Sequence, residues 1–283
     1  MEKYTTKDFE RDFPSDDACM DWLFNIRYPE GVYCPKCDKV TKHHRIKARS
    51  SYSCDICGSQ VYPTAGTIFH KSSTPLKVWF QVMYRMASTR CGISAKQIQR
   101  ETGVTYKTAW RMFKQIRSLL DENCGTVKGE VEADETYIGG KHSGTRGRGA
   151  EGKTPVIGIA QRHGKIIASV SPDVSSKAIT PFIAQNVALE STIYTDEFRS
   201  YNNVSKLGYK HRVVNHGREQ WVDGLAHTNT IEGFWSLMKR GIDGVYHAVS
   251  PKYLQSYVNE YSFRYNHRND ETPMFQSFLE KLV

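Results

Sequence analysis

Gly129-Glu-Val-Glu-Ala-Asp-Glu-Thr-Tyr-Ile138 reads as a β-strand, and it opens a series. Pro155 to Gln161, Lys165 to Ser171 and Ser191 to Thr195 are further short β-like runs, and Ser175 to Val187, between the third and fourth, has helical spacing. Strands in hairpin order followed by helix and strand indicate an α/β or α+β domain with a mixed sheet. Asp134 lies near the end of the first run and Asp196 directly follows the apolar Ile193-Tyr-Thr. Both carboxylates therefore stand at strand ends, where a sheet presents ligands to solvent. Further along, His227-Thr-Asn-Thr-Ile-Glu-Gly-Phe-Trp-Ser-Leu-Met-Lys-Arg240 reads as a helix with Ile231, Phe234, Trp235 and Met238 facing inward. Asn229, Glu232, Ser236 and Lys239 recur at steps of three and four and share its other face.

Two aspartates and a glutamate on three separate elements suit a pair of hard divalent cations, Mg²⁺ or Mn²⁺, which take oxygen ligands and can clamp the attacking and leaving oxygens of a phosphodiester. Lys239 would then sit beside a phosphate. Glu132 shares the strand face of Asp134, and Glu135, Glu197 and Asp223 are further nearby carboxylates whose expected roles are structural or solvated.

Upstream, the chain carries seven cysteines, an odd number, and no apolar segment at Met1-Glu2-Lys3-Tyr4 of the kind that directs export. A disulfide framework is not expected, and the reading is cytoplasmic with no membrane span. Cys34-Pro-Lys-Cys37 and Cys54-Asp-Ile-Cys57 form two hooks separated by 16 residues. That spacing lets two tight knuckles present four thiolates to one structural Zn²⁺, with no open position for catalysis. Cys19, Cys91 and Cys124 stand alone as incidental thiols. After this zinc ribbon, Thr74-Pro75 looks like a helix start, with Pro at the first helical position, and Ser94 to Arg117 resembles a helix-turn-helix, with Ser94 and Thr105 as caps and Gly103 in the turn. Ala109, Met112, Phe113, Ile116 and Leu120 make a core stripe, leaving Tyr106, Lys107, Arg111, Lys114 and Arg117 for solvent or DNA phosphate.

Charge follows the same division. The chain of 283 residues has a net charge of +9, and its parts differ: residues 1–33 hold 4 basic and 8 acidic side chains, residues 34–128 hold 17 and 5, and residues 129–283 hold 18 and 17. One segment carries the excess, as expected for a polyanion-gripping module joined to a larger part that does chemistry. The expected organisation is an acidic helical lead-in over 1–33 that packs on the ribbon, the ribbon over 34–72, the helix-turn-helix region over 73–128 and a catalytic domain over 129–283. Within the last, Lys141 to Lys153 is glycine-rich and basic, and Arg146 and Arg148 are candidate contacts to a DNA backbone. Tyr253 to Arg268 looks like an amphipathic helix with core aromatics.

The motifs Asp134-Glu-Thr-Tyr-Ile-Gly-Gly-Lys141, Gly147-Arg-Gly, Lys153-Thr-Pro-Val-Ile-Gly158, Thr195-Asp196, His227 to Gly241 and Glu260-Tyr-Ser-Phe-Arg-Tyr-Asn-His-Arg268 resemble those of bacterial insertion-sequence transposases with an N-terminal zinc ribbon and a ribonuclease-H-like catalytic domain of the Asp-Asp-Glu type. The likeness covers most of the chain in the right order, and the seven-residue step from Glu232 to Lys239 is similar to the family's. It implies that Asp134, Asp196 and Glu232 bind Mg²⁺ or Mn²⁺ and that Lys239 contacts DNA. Asn229, one turn before Glu232, is the other candidate for the third position; Glu232 is preferred because an anionic oxygen holds a hard cation more tightly than an amide. The resemblance implies binding of double-stranded DNA at transposon ends and target, 3′-end cleavage and strand transfer, and a dimer or larger assembly on DNA. Two other readings stand beside it: a DNA-binding regulator or domesticated transposase without catalysis, and a ribonuclease-H-like nuclease without strand transfer.

Overall fold

A computed structural model describes residues 4–139, 152–214 and 227–282. The chain divides into two compact units, Met1–Thr89 with Ala95–Leu119 and Asp270–Val283, and Arg90–Ser94 with Leu120–Asn269.

In the first unit, α1 (Thr6–Asp12) starts at a reciprocal capping box between Thr5 and Asp8, and α2 (Asp16–Arg27) starts where Ser15 accepts the Ala18 N–H. The ribbon follows as a two-stranded piece, β1 (Val32–Cys34) with β2 (Lys39–Thr41), and a three-stranded antiparallel sheet of β3 (His43–Ile46), β4 (Ser51–Cys54) and β5 (Gln60–Val61). The lead-in packs on the ribbon: Phe24 stacks on Tyr52 with ring centroids 3.8 Å apart, and Asp17 pairs with Arg45 at 2.8 Å.

Helix α3 (Leu76–Ala87) begins one residue later than expected, because Pro75 has extended backbone (ψ 141°) and caps the helix instead of opening it. Helix α4 (Ala95–Thr102), a turn at Gly103 (φ +72°) and α5 (Tyr106–Ser118) follow, with Thr105 accepting the Thr108 N–H at 3.2 Å. The left-handed turn is a conformation that glycine adopts without a Cβ clash.

In the second unit, β6 (Glu130–Gly139), β7 (Lys153–Gln161) and β8 (Ile166–Val170) form an antiparallel meander. After α6 (Ser176–Asn186), β9 (Thr192–Thr195) and β10 (Lys210–Val213) add in parallel on the other side of β6. The order β10-β9-β6-β7-β8 is that of a ribonuclease-H-like mixed sheet. Each face has its own core. Val131, Ala133, Ile157 and Ile159 point to α6, while Ile138, Val156 and Ala160 point to α7 (Asn229–Gly241) and α8 (Pro251–Asn266). The period of two along β6 therefore sends Glu132 and Asp134 to the α7 face and Glu135 to the α6 face.

Side-chain amides on α8 complete the edge strand. Asn266 accepts the Ile166 N–H at 2.7 Å and donates to its carbonyl at 3.0 Å, and Gln255 accepts the Val170 N–H at 2.7 Å. They satisfy backbone groups that an open edge would leave unpaired. The final helix, α9 (Met274–Glu280), was not foreseen in the sequence. It belongs to the first unit, where Phe275 packs on Phe9 and Phe13, although residues 270–283 were expected in the catalytic domain.

Candidate active site

Asp134 sits in the middle of β6, paired in register with Gly158 of β7. A Cβ at Gly158 would lie 2.6 Å from the Trp235 ring, so the glycine is what lets the indole lie against the strand. Trp235 uses that position to donate its N–H to Asp134 Oδ2 at 3.1 Å. The parallel register of β6 and β9 matches Glu132 with Tyr194. Asp134 lies two residues beyond that pair on β6, and Asp196 two residues beyond it, just past the end of β9, so the sheet brings the two aspartates to neighbouring positions. Asp196 Oδ1 accepts the Phe198 N–H at 3.0 Å, which fixes the turn leaving the strand.

Glu232 comes from α7, where Thr228 donates its hydroxyl to Oε1 at 2.6 Å. Asn229, Glu232, Ser236 and Lys239 are all exposed on one side of this helix, opposite the buried Ile231, Phe234, Trp235 and Met238, as the periodicity requires. Burial raises the Asp134 carboxyl to about 7, and the negative charges of Glu135, Asp196 and Glu232 push the same way. Partial desolvation by the surrounding protein lowers the pKa of the exposed Lys239, against the attraction of Asp134. The expected carboxylates and Lys239 thus share one electrostatic neighbourhood, with the correction that Asp134 reaches it from the middle of β6 and not from a strand end, because the strand runs on to Gly139 in its pairing with β7. Among the described residues they do not form a ligand-spaced cluster; the four cysteines do.

Glu132 turns out to hold the site together. It is fully buried and accepts the backbone N–H groups of Thr230 at 2.7 Å and Ile231 at 3.1 Å, the first turn of α7. Arg162 Nε lies 3.0 Å and His227 Nδ1 3.1 Å from its other oxygen. A carboxylate against a helix N-terminus satisfies orphan donors and opposes the helix dipole. Arg162, stacked 4.0 Å from the Tyr194 ring, escaped the sequence reading; its one signal was a cation directly after the apolar β7 run. Glu135 is buried and accepts from Tyr201 at 2.9 Å, Glu197 is exposed, and Asp223 lies outside the described residues.

The zinc ribbon is as the spacing required. The sulfurs of Cys34, Cys37, Cys54 and Cys57 all lie within 4.8 Å of one another, with Cys34 to Cys57 at 3.4 Å and Cys37 to Cys54 at 3.9 Å. Tetrahedral Zn–S bonds of about 2.3 Å put sulfurs about 3.8 Å apart, so the set fits Zn²⁺. Both knuckles close alike, with a left-handed residue four positions after the first cysteine, Asp38 (φ 52°) and Gly58 (φ 72°).

On α5, Tyr106 is 44% exposed, and Lys107, Arg111 and Lys114 are exposed. Arg117 is a correction: it is 3% exposed with its guanidinium 5.2 Å from the Phe113 ring, so it belongs to the packed side of the helix and not to the solvent face. It falls one turn after Phe113, where the buried stripe has drifted around the helix. Arg146 and Arg148 lie outside the described residues.

Residues 126–266 match the ISXO2-like transposase domain, and residues 14–60 match the transposase zinc-ribbon domain. A protein of Halobacterium salinarum described as an uncharacterized protein in transposable element ISH50 is 30% identical over 271 residues, spanning 89% of this chain and 91% of that one. The chain belongs to the insertion-sequence transposases with an N-terminal zinc ribbon. An uncharacterized transposase-like protein of Haemophilus influenzae is 29% identical over 119 residues, 42% of this transposase and 94% of that chain. A simian T-cell lymphotropic virus intasome, solved in complex with PP2A regulatory subunit B56 gamma, covers 65% of each chain at 12% identity and a TM-score of 0.32, too slight a likeness to bear on the fold. The transposase model spans β6 through α8, so every acid of the candidate site lies inside it. No described helix of this transposase is long and apolar enough to cross a membrane.

Proposed function

We propose that this transposase binds the ends of its element as double-stranded DNA, cuts a 3′ end and joins it to target DNA, with Asp134, Asp196 and Glu232 as ligands for Mg²⁺ or Mn²⁺. The observation that carries the reading is the gathering of acids from a strand, the turn after its neighbour and a helix around a half-buried Asp134 whose pKa is raised partly by its acidic neighbours. Carboxylate oxygens gathered in this way suit hard cations. Bound divalent ions would supply Lewis-acid activation of the scissile phosphate and of the attacking oxygen. The chain's own part is to hold the carboxylates: Trp235 orients Asp134, the turn after β9 orients Asp196, Glu132 holds the first turn of α7, which carries Glu232, and Thr228 holds the Glu232 carboxylate. Lys239, two turns on, would meet a DNA phosphate, and the exposed Lys107, Arg111 and Lys114 of α5 would hold DNA by charge. DNA as substrate implies the cytoplasm, at the nucleoid, and two ends to be joined imply a dimer or larger assembly.

The test incubates the protein with Mg²⁺, a duplex carrying an element end and a target plasmid. Joined products are the expected outcome. Cleavage without joining would indicate a nuclease, and retardation without cleavage a DNA-binding regulator; either would overturn strand transfer as the activity.

A further inference from the structure

The first unit contains an open cleft of about 660 Å³ between the β3–β4 turn and the segment that leads into α3. Lys47 and Arg49 enter it from the turn, and His70 and Lys71 from the segment. All four are exposed, and among the described residues none of Lys47, Arg49 and Lys71 makes a hydrogen bond or ion pair through its side chain. The two acids on the cleft are already engaged. Asp16 accepts the Lys77 N–H at 2.8 Å, and Asp17 accepts Arg45 Nη2 at 2.8 Å. Only Asp17 is neutralised, by Arg45, so one acidic charge, that of Asp16, stands against the three cations Lys47, Arg49 and Lys71.

Arg45, paired with Asp17, lies on the same cleft. Its guanidinium lies 5.4 Å from the Tyr52 ring and is held by Asp17, while its buried Nε and Nη1 have no acceptor among the described residues. Buried donors without partners are uncommon and raise the potential of the surface above them. Lys71 has φ +55°, a left-handed backbone that a non-glycine residue rarely adopts and that clusters at binding sites. Tyr62, 46% exposed and also on the cleft, offers a ring against a sugar. Arg27 ties the segment down by donating to the Pro63 and Ala65 carbonyls.

We propose that this ribbon cleft grips the sugar-phosphate backbone of duplex DNA, independently of α5, and that Lys47, Arg49 and Lys71 are its phosphate contacts. The proposal rests on the reading of the chain as acting on DNA. A groove far larger than one phosphate, with cations entering from two segments, fits a run of phosphates and not a single oxyanion.

The experiment measures anisotropy of a labelled duplex with full-length protein across a salt series. In the Lys47→Ala/Arg49→Ala/Lys71→Ala variant the slope of log affinity against log salt should be shallower by about three, and low-salt affinity should fall by at least about tenfold, equally for any duplex sequence. The single variants Lys47→Ala and Lys71→Ala should each move the slope by about one, so the result does not depend on the triple variant folding. Zinc content should stay that of the parent. If the parent binds and all variants keep its slope, the cleft proposal fails while the DNA reading stands; if the parent binds no duplex, both fail. Displacement of the duplex by inorganic phosphate at constant ionic strength would mark a single-oxyanion site and overturn the proposal.

Discussion

Trp235 donates its indole N–H to Asp134 Oδ2 at 3.1 Å while its ring fills the space left by Gly158, the strand partner of Asp134. One side chain therefore joins the core of the α7 face to the acid at its margin. Gly158→Ala would put a methyl group against a ring that is itself buried and unable to swing aside, which should cost about 1–3 kcal/mol. Trp235→Phe keeps most of the packing and loses the hydrogen bond. Thermal unfolding should register the first substitution strongly and the second weakly, whereas strand transfer should fall roughly 10- to 100-fold in Trp235→Phe. Unchanged activity there would show that Asp134 needs no orientation from the indole.

Glu232 and Asn229 lie on one exposed face of α7. Glu232→Gln keeps shape and removes charge, so cleavage and joining should be abolished with DNA binding nearly intact. Asn229→Ala removes at most an orienting group and should leave measurable activity, reduced about 10- to 100-fold. The reverse pattern would make Asn229 the ligand and Glu232 a bystander.

Glu132 is a fully buried carboxylate between Arg162 and the α7 N-terminus. Glu132→Ala strands the arginine and the helix donors together, a loss of about 3–5 kcal/mol. The unfolding midpoint of the transposase domain should drop on the order of 10 °C. Glu132→Gln should recover little, because its amide group would meet donors. A Glu132→Ala protein as stable as the parent would contradict the anchoring role.

The ribbon should bind about one zinc per chain. Cys37→Ser should release it, unfold residues 34–57 and weaken DNA binding, because folding and metal binding are coupled in so small a module. Elemental analysis of the purified variant decides the matter: full zinc retention would mean that the four thiols do not share one ion.

Along α5 the outcomes should divide by exposure. Arg111→Ala and Lys114→Ala should lower DNA affinity, each flattening the salt dependence by about one. Arg117→Ala should act on stability, since that side chain is packed against Phe113. A salt slope changed by Arg117→Ala at unaltered stability would return it to the DNA-facing set.

Local signals carried much of the architecture. The cysteine spacing, the glycine turn at Gly103 with its Thr105 cap, and the period-two runs of β6 to β9 each depend on a few neighbouring residues. The step of three and four on α7 likewise fixed which side chains would face out together. Helix α9 was not legible because its seven residues gain their stability from Phe275 meeting Phe9 and Phe13 across more than 250 positions of chain.

What the sequence determined by itself was a set of candidate residues and the elements that bear them: four cysteines spaced for one ion, an aspartate on a strand and another just after one, and a helix face carrying Glu232 and Lys239. Tertiary structure alone decided which acid does what. Glu132 and Asp134 share one face of one strand and look alike in sequence. Yet α7 lands with its N-terminus on Glu132, consuming that carboxylate in helix donors and Arg162, and leaves Asp134 beside Asp196. The same holds for Arg117, whose charge pointed to solvent and whose position on the turned helix put it inside. Periodicity gives direction relative to an element's own axis; only packing against partners distant in sequence fixes what lies in that direction.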